Sequence, residues 1–283
     1  MEDSHRMRTW AFVLLVGCSI DDNVARVPTD AGPPPACPRT EGAALMADLG
    51  THCIDTTEVT RAQYAKFVAA ALDPSGQPSE CLWNKAFKPQ VDVAAPHVCT
   101  DELVHPVKNP DHPVICVDWC DAVAYCKWAG KRLCGKIGGG GDSFEDMAVH
   151  DNAATSQWFA GCGISAYPYG PTYEPERCCD LADGGTKQAH GVGQLAGCHG
   201  PPGTPLGGVF DMSGNVAEWT DACEGSGFPG DQKCLTRGGY FGDRDADSAT
   251  LRCAFGASLT SNRAKPRNSF DDHIGIRCCA DKR

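Results

Sequence analysis

Apolar residues along this chain come in short groups, and few groups hold one period for long. Thr51–Thr56 reads as a short strand. Tyr64, Phe67 and Val68 then fall at helical spacing, which predicts a helix from about Arg61 to Ala71. Residues 73–111 carry six prolines and no sustained period, so they read as loop. Val114-Ile115-Cys116-Val117 is apolar and β-prone and predicts a strand. Asp118 or Trp119 opens a second helix, in which Ala122, Tyr125, Cys126 and Ala129 share a face. Gly130 closes it, with Lys131 and Arg132 near its negative end. The run Gly138–Gly141 is no phosphate loop, because no Gly-Lys-Ser/Thr follows a strand at the required spacing. It reads as a flexible surface insertion held at one end by Cys134. Tyr167 to Pro205 is irregular, Gly275–Asp281 reads as a terminal strand, and no internal repeat is visible.

The first residues carry a different pattern. Arg6 and Arg8 precede the apolar run Trp10–Val16, which is far too short to span a bilayer and has the form of an export signal, starting at Met1 or Met7. Leu15-Val16-Gly17-Cys18 resembles a bacterial lipobox, which implies lipidation of Cys18. Ser19 in place of Asp implies outer-membrane or cell-surface placement. Residues 1–18 are therefore expected to be a lipoprotein signal peptide, and residues 19–46, with Pro/Gly-rich Val27–Pro35, a tether. The folded domain is expected over residues 47–283.

Composition narrows the classes. Hydrophobic residues are 42% and charged residues 22%, the balance of a globular chain. The net charge of −11 disfavours nucleic acid as a partner. Eighteen cysteines far exceed the usage of a reducing compartment, and without any Cys-x-x-Cys they read as disulfides rather than zinc ligands. With Cys18 lipidated seventeen remain, so one thiol is left over, expected to be buried and inert. Cys37 is expected to bridge into the domain. Nearness in sequence suggests the pairs Cys81–Cys99, Cys116–Cys134 and Cys223–Cys234.

The most informative stretch is Gly207–Asp221. Ser213-Gly214-Asn215 predicts a tight turn with left-handed backbone. Asp211 and Glu218 flank it with hard carboxylate oxygens of the kind Ca²⁺ takes. The alternative is a compact loop pinned by Trp219, with Glu218 capping backbone amides.

Asp211-Met212-Ser213-Gly214-Asn215-Val216, Glu218-Trp219, then Arg237-Gly238-Gly239-Tyr240 and Gly275-Ile276-Arg277-Cys278, together resemble the sulfatase-modifying-factor family, which includes formylglycine-generating enzymes. Thr57-Glu58-Val59-Thr60 with Gln63-Tyr64 and Phe67 resembles its opening motif. His112-Pro113-Val114 through Trp119, Tyr125-Cys126 and Trp128 to Leu133 resembles its central one. The resemblance covers Cys53 to Asp281 and departs from the family over an insertion at about 134–155. It implies an α+β fold with a C-type-lectin-like core, loop-rich and disulfide-rich. It also implies calcium held by Asp211, the carbonyls of Gly214 and Val216, and Glu218, with a weaker second point at Asp180. The pairs Cys126–Cys278 and Cys162–Cys253 are implied as well.

Enzymes of this family oxidise a substrate cysteine with two thiolates that bind copper. Counting from Gly239, the first thiolate position is Asp243, the second is Ser248, and the following structural position is Cys253. A carboxylate and a hydroxyl neither favour Cu(I) nor cycle through a disulfide, so copper is not expected. The family has iron-dependent relatives with a three-His site, but the nine histidines here show no His-x-x-x-His and no His-x-Glu, and no Gly-x-Ser-x-Gly is present. Asp243, Arg244, Asp245, Asp247 and Ser248 form a polar cluster where the active cleft belongs, either a solvated loop or a repurposed pocket. The expectation is a membrane-anchored monomer without formylglycine-generating activity, acting as a surface binding or scaffolding module for an unidentified ligand or protein. The alternative is an oxidase of the formylglycine-generating type or another metal-dependent oxidase of the family.

Overall fold

The computed structural model describes residues 36–91, 99–180, 188–243, 250–254 and 263–282. The signal, Cys18 and the tether up to Pro35 lie outside the described residues. Chain order is β1 (Met46–Asp48), β2 (His52–Asp55), α1 (Arg61–Ala69), α2 (Asp101–Val104), α3 (Trp119–Trp128), β3 (Arg132–Leu133), α4 (Met147–His150), α5 (Gln157–Cys162), β4 (Ala217–Cys223), β5 (Lys233–Arg237), β6 (Ala264–Pro266), β7 (Ile274–Gly275) and β8 (Cys278–Asp281). Short strands, short helices and long loops make a mixed α+β architecture. No described helix is long and apolar enough to cross a membrane.

The two main helices start where side chains cap them. Thr60 accepts from the Gln63 amide at 3.1 Å, and Gln63 accepts from the Thr60 amide at 2.9 Å, closing a capping box on α1. Asp118 and Asp121 do the same for α3. The buried faces then meet. Tyr64 of α1 stacks on Tyr125 of α3 at a centroid distance of 5.6 Å and Phe67 meets it edge-on at 5.7 Å, within the largest core cluster.

The strands form two sheets of four. The first has order β1-β2-β8-β3 and is antiparallel, with Ile54 and Arg132 both opposite Cys279. The second has order β6-β5-β4-β7, antiparallel except for β4 beside β7, where Ala217 faces Ile274. The expected terminal strand Gly275–Asp281 is therefore split between sheets. Its middle residues, Ile276 and Arg277, are fully buried, and Arg277 turns toward the second sheet.

Three other expectations change. Val114–Val117 forms no strand. Cys116 has φ +61°, which breaks the extended run, and Val114 and Cys116 bond separately to Val59 and Asp271. The glycine insertion is anchored at both ends rather than one: Ile137 donates to the Thr155 carbonyl, and Asp142 to the Asp221 carbonyl of β4. The fold also reaches back before residue 47, since Cys37 is bridged to Cys53 and Ala44 is buried.

Eight disulfides staple the described residues. Cys126–Cys278 and Cys162–Cys253 are the two pairings that the resemblance implied, and Cys223–Cys234 crosses the β4–β5 pair. The other two proximity pairings are wrong. Cys81 bonds to Cys120, Cys99 to Cys116, and Cys134 to Cys279. The reason is register: Leu133 lies opposite Cys278, so Cys134 meets the terminal strand and not its sequence neighbour. Cys178–Cys198 completes the set.

Cys134–Cys279 joins residues 145 apart, so its loss frees a long loop in the unfolded chain. Replacing both by Ser is expected to lower unfolding free energy by about 2–5 kcal/mol, read as a lower urea midpoint. An unchanged midpoint would show that the hydrogen-bonded β3–β8 pairing alone suffices.

Candidate functional site

The turn at 211–216 takes the backbone that its composition predicts. Asp211, Gly214 and Asn215 have φ of +60°, +74° and +57°. Gly214 is required for space as well as angle, because a Cβ there would lie 2.1 Å from the Cys179 carbonyl. Gly214 donates to the Gly238 carbonyl at 2.8 Å and Asn215 to the Cys179 carbonyl at 2.7 Å. The turn is thereby fixed to two other loops. Asn215 then reaches the opening motif, its Nδ2 donating to Glu58 Oε1 at 3.0 Å, and accepts from the His190 amide at 2.9 Å.

Behind the turn lies a buried ionic nest. Arg277, fully buried, donates from Nε to Glu218 Oε1 at 2.7 Å, from Nη1 to the Asp55 carbonyl at 2.8 Å, and from Nη2 to the Phe210 carbonyl at 2.7 Å. Trp158 Nε1 donates to the second Glu218 oxygen at 2.6 Å. Glu218 is thus engaged on both oxygens. Asp211 Oδ2 accepts from the Gly193 amide at 2.5 Å. Glu58 Oε2 lies 3.9 Å from Arg277 and has no hydrogen-bond partner among the described residues. Asp55, close by, is neutralised separately by Lys131 at 2.5 Å.

Three buried carboxylates, Glu58, Asp211 and Glu218, thus share one guanidinium. Burial raises the pKa of all three. Glu58 is pushed well above the carboxylate range, first by burial and then by the Asp211 charge. Such a nest needs extra positive charge, supplied by protons or by a bound cation. Its donors are hard oxygens, and Glu58 Oε2 is unused, so the residues fit a hard divalent ion. Asp211, Gly214, Val216 and Glu218 are the ligands that the family resemblance implies. All four are buried in this one turn and strand, but Glu218 faces Arg277 and Trp158 while Asp211 faces Glu58. Among the described residues no three His, Cys, Asp or Glu side chains already converge as a metal-binding group. Asp180, the weaker second point, is buried and accepts from the Tyr173 hydroxyl at 2.9 Å.

Glu58, Trp158 and Arg277 received no role from the sequence. The signal was present, since Glu58 and Arg277 stand inside quoted motifs. Only the fold shows that residues 58, 218 and 277 meet.

At the other candidate position, Asp243 is half-buried and accepts from the Tyr240 amide at 3.2 Å. Burial raises its carboxyl, and the Thr250 hydroxyl opposes that shift. A cleft of about 180 Å³ opens beside it, lined by Tyr240, Asp243, Arg263, Lys265 and His273. Ser248, Arg244, Asp245 and Asp247 lie outside the described residues. Cys253 is fully buried and bonded to Cys162, and its carbonyl accepts from Arg237. Among the described residues Cys179 is the one cysteine outside a disulfide, and burial pushes its thiol up to about 12. It is the buried, protonated leftover expected from the count.

Comparison with known proteins places this geometry. The sulfatase-modifying factor enzyme 1-like domain model matches residues 27–282, and the chain belongs to that family. "Inactive C-alpha-formylglycine-generating enzyme 2" of Bos taurus is 30% identical over 178 residues, covering 60% of this chain and 50% of the relative. The formylglycine-generating enzyme of Thermomonospora curvata is 29% identical over 195 residues, covering 61% of this chain and 57% of the relative. The chain spans about half the length of these relatives. Among solved structures, CarF aligns with TM-score 0.48 at 22% identity, over 82% of this chain and 87% of that one. PvdO from Pseudomonas aeruginosa aligns with TM-score 0.49 at 18% identity, over 81% and 80%. Eight disulfides among the described residues mark a secretory-type protein.

Arg277→Met removes the one positive charge in contact with Glu218 and leaves its carboxylate buried and uncompensated. A loss of about 3–5 kcal/mol in urea unfolding is expected, and the double variant with Glu218→Gln should recover part of it. Equal stability of the single variant and the parent would mean that Glu218 is already neutral.

Proposed function

We propose that this chain is an exported, lipid-anchored member of the family that does not make formylglycine and serves as a binding or scaffolding module at the cell surface. The observation that carries this reading is that no free thiol stands beside Cys253 among the described residues. Cys253 is clasped to Cys162 in the interior, as its structural position implies, and Asp243 stands where the resemblance puts the first reactive thiolate. Copper-dependent thiol oxidation needs two soft thiolates side by side. The described residues offer one free thiol, buried and protonated at neutral pH. The bovine relative whose name marks it as inactive is consistent with loss of this chemistry on the same fold. Anchoring through Cys18 and placement at the outer membrane or surface belong to the same proposal and rest on the lipobox-like Leu15–Cys18.

The test is an oxidation assay with the copper-loaded protein and a Cys-x-Pro-x-Arg peptide under oxygen. No aldehyde product above the metal blank is expected. Conversion above that blank would overturn the proposal in favour of an oxidase.

Calcium belongs to the proposal as a structural ion held by Asp211 and Glu58 with the carbonyls of Gly214 and Val216, while Glu218, expected from the sequence as a ligand, stays with Arg277 and Trp158. It would supply the missing positive charge and leave Arg277 to Glu218. Without metal, carboxylates with raised values favour the folded state below the ordinary carboxylate range, and that stability is lost as pH rises through the folded values. Calcium should therefore matter most where protons have gone. Adding it to EDTA-treated protein is expected to raise Tm by several degrees at pH 7.5 and by less at pH 5. An unchanged Tm at both pH values would show that protons alone balance the nest.

A further inference from the structure

A second cleft, which neither Asp243 nor the carboxylates of the buried nest line, has a composition that membership of the family leaves unexplained. It measures about 410 Å³ and lies between the start of α1, the loop before Pro113, the segment around α2 and the loop at Gln188. Arg61 forms its base. That residue is only 5% exposed, yet its guanidinium is spent on one hydrogen bond, from Nη1 to the Lys108 carbonyl at 3.1 Å. Its Nε has no partner, and Nη2 makes no hydrogen bond among the described residues. A buried guanidinium normally has its fork filled by a carboxylate or by several carbonyls. Arg61 belongs to the first turn of α1, fixed by the capping box, and its own amide bonds to the His112 carbonyl at 2.9 Å. It is thus held in place for something that no described residue provides.

The surroundings choose the class of ligand. Acidic groups near the cleft already have partners: Glu102 meets Lys108 at 3.0 Å and Asp272 meets His273 at 3.0 Å. Asp111 supports the Arg61 charge from nearby but accepts from Gln194 at 2.6 Å and forms no ion pair with Arg61 among the described residues. Glu102 and Asp272 still border the opening, so a doubly charged anion meets more repulsion there than a singly charged one. Leu103, Ile115 and Phe241 add an apolar wall. His112 is held toward its neutral form by burial and by Arg61, so it offers an uncharged ring N–H.

We infer that this cleft binds a small monocarboxylate with an apolar body, its carboxylate taken by the Arg61 guanidinium and its body lying against Leu103, Ile115 and Phe241. The geometry that supports it is a rigid, incompletely used fork at the base of a cavity large enough for about a dozen heavy atoms. The inference does not depend on loss of oxidase chemistry, since Cys253 and Asp243 do not line this cleft.

The experiment titrates the full folded domain with 3-phenylpropionate, its neutral amide 3-phenylpropionamide, and inorganic phosphate. The Arg61 Nε–H resonance is followed by ¹H–¹⁵N NMR. Saturable movement of that resonance with 3-phenylpropionate is expected, with the amide and phosphate each binding about tenfold more weakly or worse. Arg61→Gln, checked for an unchanged Tm, should weaken 3-phenylpropionate binding by about tenfold or more. If the variant unfolds, the resonance of the parent protein decides alone. No saturable shift with 3-phenylpropionate, a preference for phosphate, or equal binding by the amide would overturn the assignment.

Discussion

Arg277 is the interaction on which the rest of this structure depends. One guanidinium, fully buried, joins three distant segments: the strand end at Asp55, the turn at Phe210 and the second-sheet strand carrying Glu218. The flanking residues extend the junction. Ile276 accepts from the Val59 amide, Cys278 donates to Asp55 Oδ2, and Cys278 and Cys279 each carry a disulfide. A buried guanidinium is costly to desolvate, and it is tolerable here because its donors are met by a carboxylate and two carbonyls. The two four-stranded sheets are held in relation at this point, where the chain passes from β7 into β8.

The disulfides follow from the same economy of regular structure. The strands here run from two to seven residues, so ladder hydrogen bonds alone order little of the chain. Long loops cost conformational entropy to fix. Bridges that join residues 152, 145 and 91 apart restrict the unfolded chain where it is loosest. Cys253 serves this structural purpose with Cys162, while a carboxylate, Asp243, stands where the resemblance puts the first reactive thiolate.

Much of this was legible in the residues, for reasons that can be named. The helix faces of Tyr64–Phe67 and Tyr125 have a clear period, and the left-handed turn at Gly214-Asn215 is written in residues that tolerate it. Local pattern failed where distant contacts decide. Cys116 breaks the apolar run Val114–Val117 because its backbone is turned toward Cys99 and Asp271, which no window of four residues reveals. Cys81 skips its sequence neighbour for Cys120 because α3 brings Cys120 to it. The ionic nest was half visible: Asp211 and Glu218 stood out as carboxylates on one loop, whereas Glu58 and Arg277 join them only through sheet pairing and packing. Arg61, one residue inside a familiar motif, looked like an ordinary helix position until its burial showed otherwise.

The sulfur at position 253 is the decisive atom. Digestion of the unreduced protein after alkylation, followed by mass spectrometry of the linked peptides, reads it directly. The expected result is one cross-linked species containing Cys162 and Cys253, with Cys179 alkylated only after the protein is unfolded. An alkylated Cys253 in the native protein, or Cys253 bonded to a different cysteine, would contradict it.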